Sequence, residues 1–235
     1  MTGFTVVKME FRDDVFLGIT AVVNVLAIYF ALFIAPAEVA LGELVRVFYF
    51  HLPQAIACYL SLVISLVGAI LFLRTKQAKY DAISESAALL GLVYGVITLV
   101  SGAIWANAAW GVYWNWDPRE TTTLVLWLAY LGYFFLRMSV ENPERRASVS
   151  AAYNVLAFLT VPLSYLSFII WPSLHPRLAE GGGGLGLTGT MVQALLLNIL
   201  GGLLFYVWII RKTYGVRLTK DELERKLSEE VRIAG

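Results

Sequence analysis

Six apolar runs, roughly 15–35, 53–73, 86–105, 121–138, 151–171 and 190–210, fill most of this 235-residue chain. Each has about the ~20 residues that cross a hydrocarbon core as a helix. Lipid cannot hydrogen-bond an open backbone, so a chain built this way has few choices besides helices. The expected fold is an all-α integral membrane protein with six transmembrane helices. Composition agrees: 59% of residues are hydrophobic and 15% charged, where soluble domains average near 45–50% and ~25%. The first run is too long for a signal-peptide core and reads as a retained anchor.

The basic residues set the orientation. Segments 1–14, 74–85, 137–148 and 211–235 carry 15 of the 18 Lys and Arg. The segments between them, 36–52, 106–120 and 172–189, carry only Arg46, Arg119 and Arg177. Both termini are therefore expected on the cytoplasmic side of the cytoplasmic (inner) membrane, and those three segments outside it. The net charge of +1 and the lack of a further basic patch give no sign of a nucleic-acid partner.

The chain divides into a membrane domain, 1–210, and a tail, 211–235. Gly91-x-x-x-Gly95 and Gly201-Gly202 permit close helix approach and read as packing sites. Pro162 is expected to kink the fifth span. Gly181–Gly184 lacks the Gly-Lys-Ser/Thr ending of a phosphate loop and reads as an extracytoplasmic hinge. The chain thus shows no ATPase motif of its own. In the tail, Thr219-Lys220-Asp221-Glu222 has capping-box spacing. With Leu223, Leu227 and Val231 it reads as a short amphipathic helix, either solvated or docked to a cytoplasmic partner.

Some chemistries are excluded. Cys58 is the only cysteine, so no disulfide, Cys-x-x-Cys pair or covalent haem attachment site can form. No Asp, Glu, Lys, Arg or His falls in the middle of a run, unlike most ion-coupled transporters and proton pumps. A b-type cytochrome would place histidines within its spans.

What remains is the segment W-A-N-A-A-W-G-V-Y-W-N-W-D, Trp105–Asp117, between the third and fourth runs. Four tryptophans (Trp105, Trp110, Trp114 and Trp116) fall in this one stretch of seven in the chain. An interfacial belt spreads its tryptophans over many helix ends. Such concentration favours a platform for a flat apolar ligand, and an anchoring belt is the alternative. Trp110 and Trp114, four apart, would share one side of a helix. Asp117, Pro118 and Glu120 form a helix-start signature at N-cap, N1 and N3. Asp117 could therefore shape the ligand site without touching the ligand.

The chain's only two histidines, His51 and His175, lie in segments expected on the same side as this platform. Both are read as loop residues, His51 just before the second run and His175 just after the fifth. Neutral imidazole is a common haem-iron ligand, and two could hold one iron from opposite faces. Zinc is less well served by two histidines without thiolates or a carboxylate set. Arg119 and Arg46 are candidate partners for haem propionates, with lipid headgroups as the alternative.

W-G-V-Y-W-N-W-D-P-R-E-T resembles the signature of the WWD haem-handling membrane proteins, here spanning 105–121. R-V-F-Y-F-H-L-P and S-L-H-P resemble the two histidine segments of the CcmC family, the haem exporter protein C family of cytochrome c maturation. The likeness covers nearly the whole chain. The ending D-P-R-E-T looks closer to the larger relatives CcmF and CcsA, which carry further histidines within their spans; this chain has none there. The resemblance implies a haem-handling protein rather than an enzyme. It implies His51 and His175 as axial ligands, with Trp110, Trp114, Trp116 and Asp117 forming the platform. It also implies delivery of haem to a CcmE-type chaperone, alongside the ABC-type components CcmA and CcmB and the small protein CcmD. Two other functions are open at this point: a CcsA- or CcmF-like factor that assembles haem with apocytochrome, and a membrane scaffold anchored by its tryptophans.

Overall fold

The computed structural model describes residues 10–39, 41–176 and 187–234. The expected hinge Gly181–Gly184, and Arg177, lie outside the described residues. Among those described, the chain is helical, with a single isolated bridge between Glu38 and Gly42. The helices are α1 (Glu10–Tyr29), extended by a π-helical turn (Phe30–Ile34), α2 (Val45–Thr75), α3 (Ala78–Trp110), α4 (Pro118–Ser139), α5 (Pro143–Ala157), α6 (Thr160–Ile170) and α7 (Gly189–Ala234). They provide six segments long and apolar enough to cross a membrane, the fifth formed by α5 and α6 together.

That division has a local cause. Proline has no N–H and its ring crowds the carbonyl four residues back. Pro162 therefore leaves the Phe158 carbonyl without its helical donor. The Val161 N–H takes it instead at 2.9 Å, and the helix breaks at Phe158–Leu159.

α2 and α3 form the central antiparallel pair, joined by a turn at Lys76 with φ 56°. Small residues on α3 let α2 and α4 approach it. A Cβ on Gly91 would collide with the Leu62 side chain, and one on Gly95 would lie 3.0 Å from Trp127 Cδ1. One on Gly102 would lie 3.3 Å from His51 Cε1. Buried polar groups join further helices: Asn154 Nδ2 donates to Ser65 Oγ at 2.7 Å and Ser84 Oγ at 3.0 Å, while Tyr130 donates to Asn154 Oδ1 at 3.1 Å. Such bonds hold helices together where lipid gives no hydrophobic drive. α1 packs on α7, and α7 packs on α2 and α3.

At the opposite end of α3 from Trp110, Arg137 of α4 is buried against Asp81 in a two-pronged pair of 2.7 and 2.8 Å. It also donates to Glu85 at 2.8 Å, and Glu85 in turn meets Arg217 of α7. The network lies outside the centres of the apolar runs, which carry no charge. The tail differs from expectation in one respect. α7 runs without a break through residues 211–234, and Thr219 donates to the Gly215 carbonyl rather than capping a new helix. At about 69 Å, by 1.5 Å per residue, α7 is far longer than a ~30 Å hydrocarbon core.

Candidate functional site

His51 is not a loop residue. It lies in the second turn of α2, because the apolar run V-F-Y-F before it extends the helix back to Val45. Its Nδ1 is 2.8 Å from Ser101 Oγ on α3. The Ser101 hydroxyl has one hydrogen, which it donates to the Ile97 carbonyl at 2.7 Å. With its hydrogen on that carbonyl, Ser101 accepts from His51 Nδ1–H, the tautomer in which Nε2 presents a lone pair that meets no partner among the described residues.

His175 follows α6 in the irregular segment 171–176. Its backbone N–H donates to Ser173 Oγ at 3.0 Å, and its ring is tilted against Phe168 with centroids 6.4 Å apart. Neither ring nitrogen has a hydrogen-bond partner among the described residues. Burial pushes this half-buried imidazole down to about 4, helped by the nearby charge of Arg119 and by His51, with Asp117 opposing. His175 therefore stands neutral at physiological pH, and it shares an electrostatic environment with His51.

Arg119 is near both: its guanidinium lies over the Phe168 ring that meets His175, and its charge bears on both imidazoles. Its guanidinium is 4.9 Å from the Phe168 ring, 5.7 Å from Tyr165 and 5.8 Å from Tyr59. One nitrogen donates to the Tyr165 carbonyl at 2.8 Å and to Ser164 at 3.3 Å, in the last turns of α6. No carboxylate pairs with it among the described residues, and its charge is felt at both imidazoles. Arg46 points elsewhere. Five positions before His51, it lies about 140° round the helix, and it bonds Glu43 and the Ala31 carbonyl at the π-helical turn.

The tryptophans are organised differently from the expected helical stripe. α3 ends at Trp110, with Gly111 in the left-handed region at φ 80° and its N–H on the Asn107 carbonyl. This is a glycine C-cap. Trp110 therefore pairs with Trp105, edge to face at 5.3 Å, and Trp114 pairs with Trp116 at 5.9 Å. Trp116 has φ 63°, a left-handed conformation that disfavours a bulky side chain. It is 72% exposed, so its ring projects from the segment.

Asp117 holds this strained turn. It caps α4 as the sequence predicts, accepting from Arg119 N at 2.9 Å. The same buried carboxylate also accepts from Ser173 Oγ at 2.8 Å and from Leu174 N at 2.8 Å. It thus ties the tryptophan segment to the segment bearing His175. Glu120 accepts from Asn115 N at 3.3 Å, and its other oxygen is buried without a partner among the described residues.

The donor set suits an iron macrocycle: two imidazoles, each with a ring nitrogen that meets no partner among the described residues, the Phe168 ring beside His175, and a guanidinium that no carboxylate among those residues pairs with. No group of three or more His, Cys, Asp or Glu gathers into a metal site among the described residues. The profile of the family described as Heme exporter protein C matches residues 6–229. The chain belongs to that family. Heme exporter protein C of Rhodobacter capsulatus is 32% identical over 189 residues, covering 77% of this chain and 76% of its own. That of Haemophilus influenzae is 29% identical over 221 residues, covering 91% and 87%. Cytochrome c biogenesis protein CcsA of Prochlorococcus marinus is 38% identical over 92 residues, covering 39% and 29%. As a member of the heme exporter protein C family, the chain is a multi-pass membrane protein of cytochrome c biogenesis.

Ser101 and Ser173 escaped the sequence reading. Ser173 had a weak signal, two residues before His175. Ser101 had none, because its partner His51 is fifty positions away.

Proposed function

We propose that this protein binds haem as transient cargo at the outer face of the inner membrane, with His51 Nε2 and His175 as axial ligands. Trp110, Trp114 and Trp116 provide apolar contact for the ring. Arg119, unpaired and held in an aromatic cage, meets a propionate. Asp117 is a positioning residue that sets the His175 segment. Arg46 serves the helix junction at Ala31. The observation that carries this reading is that the chain's two imidazoles both feel the charge of Arg119, each with a ring nitrogen that meets no partner among the described residues. Haem then passes to a CcmE-type chaperone. ATP hydrolysis comes from ABC-type components CcmA and CcmB, with CcmD as an accessory, and the chain catalyses no reaction itself. The exposed Trp116 suits a carrier that must release its cargo.

The test is the absorption spectrum of purified protein with added haem, for wild type, His51→Ala and His175→Ala. A six-coordinate wild-type spectrum that both substitutions convert supports the reading. A spectrum indifferent to both sinks it. The similarity to CcsA favours one second reading, direct assembly of haem with apocytochrome. Offering the loaded protein a chaperone or an apocytochrome separates the two.

A further inference from the structure

A crevice of about 310 Å³ opens between α1, α2, α3 and α7. It is lined by Asn24, Gln54, Val93, Tyr94, Ile97 and Phe205, among others. Three of these, Val93, Ile97 and Phe205, are 42–45% exposed on the flank of the bundle, so the crevice opens sideways, where lipid would lie. It sits directly beneath the His51 site. Gln54 is three residues beyond His51 on α2, about 4.5 Å further along the helix and on nearly the same face. Ile97 is the residue whose carbonyl takes the Ser101 hydroxyl, which in turn orients His51.

The lining is mostly apolar but contains polar side chains, among them Gln54 and Tyr94. The Gln54 amide and the Tyr94 hydroxyl have no hydrogen-bond partner among the described residues. A side-chain amide left unpaired in hydrocarbon is costly. Gln54 is the second residue of the apolar run 53–73, where headgroups give way to acyl chains, and acyl chains offer it nothing. A ligand that is apolar over most of its surface but carries hydrogen-bonding acids satisfies both parts of the lining. The volume is at the low end for a ligand site and too small to enclose a porphyrin, so only an edge of the ring would fit within it. That is the shape of a passage rather than a resting place.

We propose that this crevice is the lateral route by which haem dissolved in the bilayer reaches His51. The inference rests on the haem-binding reading above and adds where the cargo comes from. Haem is a flat apolar ring with two carboxylates, so it partitions into the membrane with its ring among the acyl chains. Gln54 and Tyr94 would meet a propionate as the ring edge passes between α3 and α7. The iron then meets Nε2 of His51 one turn further out.

The test uses full-length protein in liposomes, with haem supplied either pre-dissolved in the bilayer or from a soluble haem-loaded albumin outside. The rate of appearance of the six-coordinate spectrum is followed for wild type, Val93→Trp and Gln54→Leu. Val93→Trp fills the mouth, and Gln54→Leu removes the polar group at nearly constant volume. Both should slow loading from the bilayer, Gln54→Leu by about tenfold for one lost hydrogen bond, and leave loading from albumin and the final spectrum unchanged. Equal bilayer loading by all three proteins would overturn the proposal, leaving the crevice to a lipid chain or a partner helix while the histidine reading stands. Equal slowing from both sources would also overturn it. No six-coordinate haem in wild type from either source would defeat the underlying haem-binding reading instead.

Discussion

The Asp117 carboxylate accepts the Leu174 N–H at 2.8 Å across 57 positions of sequence. One buried side chain thereby caps α4 and fixes the backbone leading to His175. Asp117→Asn keeps one acceptor oxygen where the carboxylate has two, so either the cap or the His175 segment is released. We expect haem affinity to fall about tenfold to a hundredfold, as for other groups that orient a metal ligand. Ser173→Ala should weaken haem binding in the same direction and leave the α4 cap whole. Haem titrations beside thermal melts distinguish these effects. Unchanged haem affinity in both variants would reduce Asp117 to a helix cap.

Ser101 holds the proton of His51 on Nδ1 by accepting it at 2.8 Å. Ser101→Ala removes that acceptor and frees the ring to turn. Haem affinity should drop about tenfold or more while melting changes little, because the hydroxyl only caps a carbonyl of its own helix otherwise. Ser101→Thr keeps the hydroxyl and should restore the spectrum. A Ser101→Ala protein with wild-type affinity would show that the Ser101 bond does not orient the ligand.

The His175 imidazole, pushed down to about 4 by burial and Arg119, remains neutral through the mildly acidic range. Haem ligation should therefore be nearly flat from pH 8 to pH 5 and fail only near pH 4. Stability follows the opposite partner of the same equilibrium. The unfolded chain takes up its proton near 6.5, the folded one near 4. Between these values the unfolded state binds more protons, so stability falls as pH falls through that window. A haem-binding midpoint near 6.5 would show an exposed, ordinary histidine.

Much of this was legible in the sequence because it depends on local or one-dimensional signals. Six spans follow from run length, the α4 cap from Asp117-Pro118, and the break in the fifth span from Pro162. His51 belongs to a helix because apolar residues flank it on both sides, and α2 propagates back through them to Val45. The tryptophan pairing was hidden by Gly111, whose left-handed cap ends α3 and turns Trp114 away from Trp110. Arg46 and Arg119 looked equivalent on paper. Only three-dimensional packing separates an arginine spent on a helix end from one left unpaired among aromatic rings.

The Arg137 network yields the last prediction, and it concerns stability alone. Arg137 is 4% exposed and bridges Asp81 and Glu85. Removing one partner of a buried pair strands a charge and typically costs about 3–5 kcal/mol. Arg137→Met should therefore lower the melting temperature strongly. Replacing the pair, Arg137→Met with Asp81→Leu, removes the stranded carboxylate and should recover part of the loss, with Glu85 still neutralised by Arg217. Asp81 and Ser101 are twenty residues apart on one helix, about 30 Å. The haem spectrum of the folded fraction should therefore be unaltered in both variants. Melting curves and spectra on the same samples check this. If the double variant melts below the single one, the stranded Asp81 carboxylate is not what destabilises Arg137→Met. If the spectrum shifts, the two ends of α3 are coupled and the network belongs to the haem site as well as to the fold.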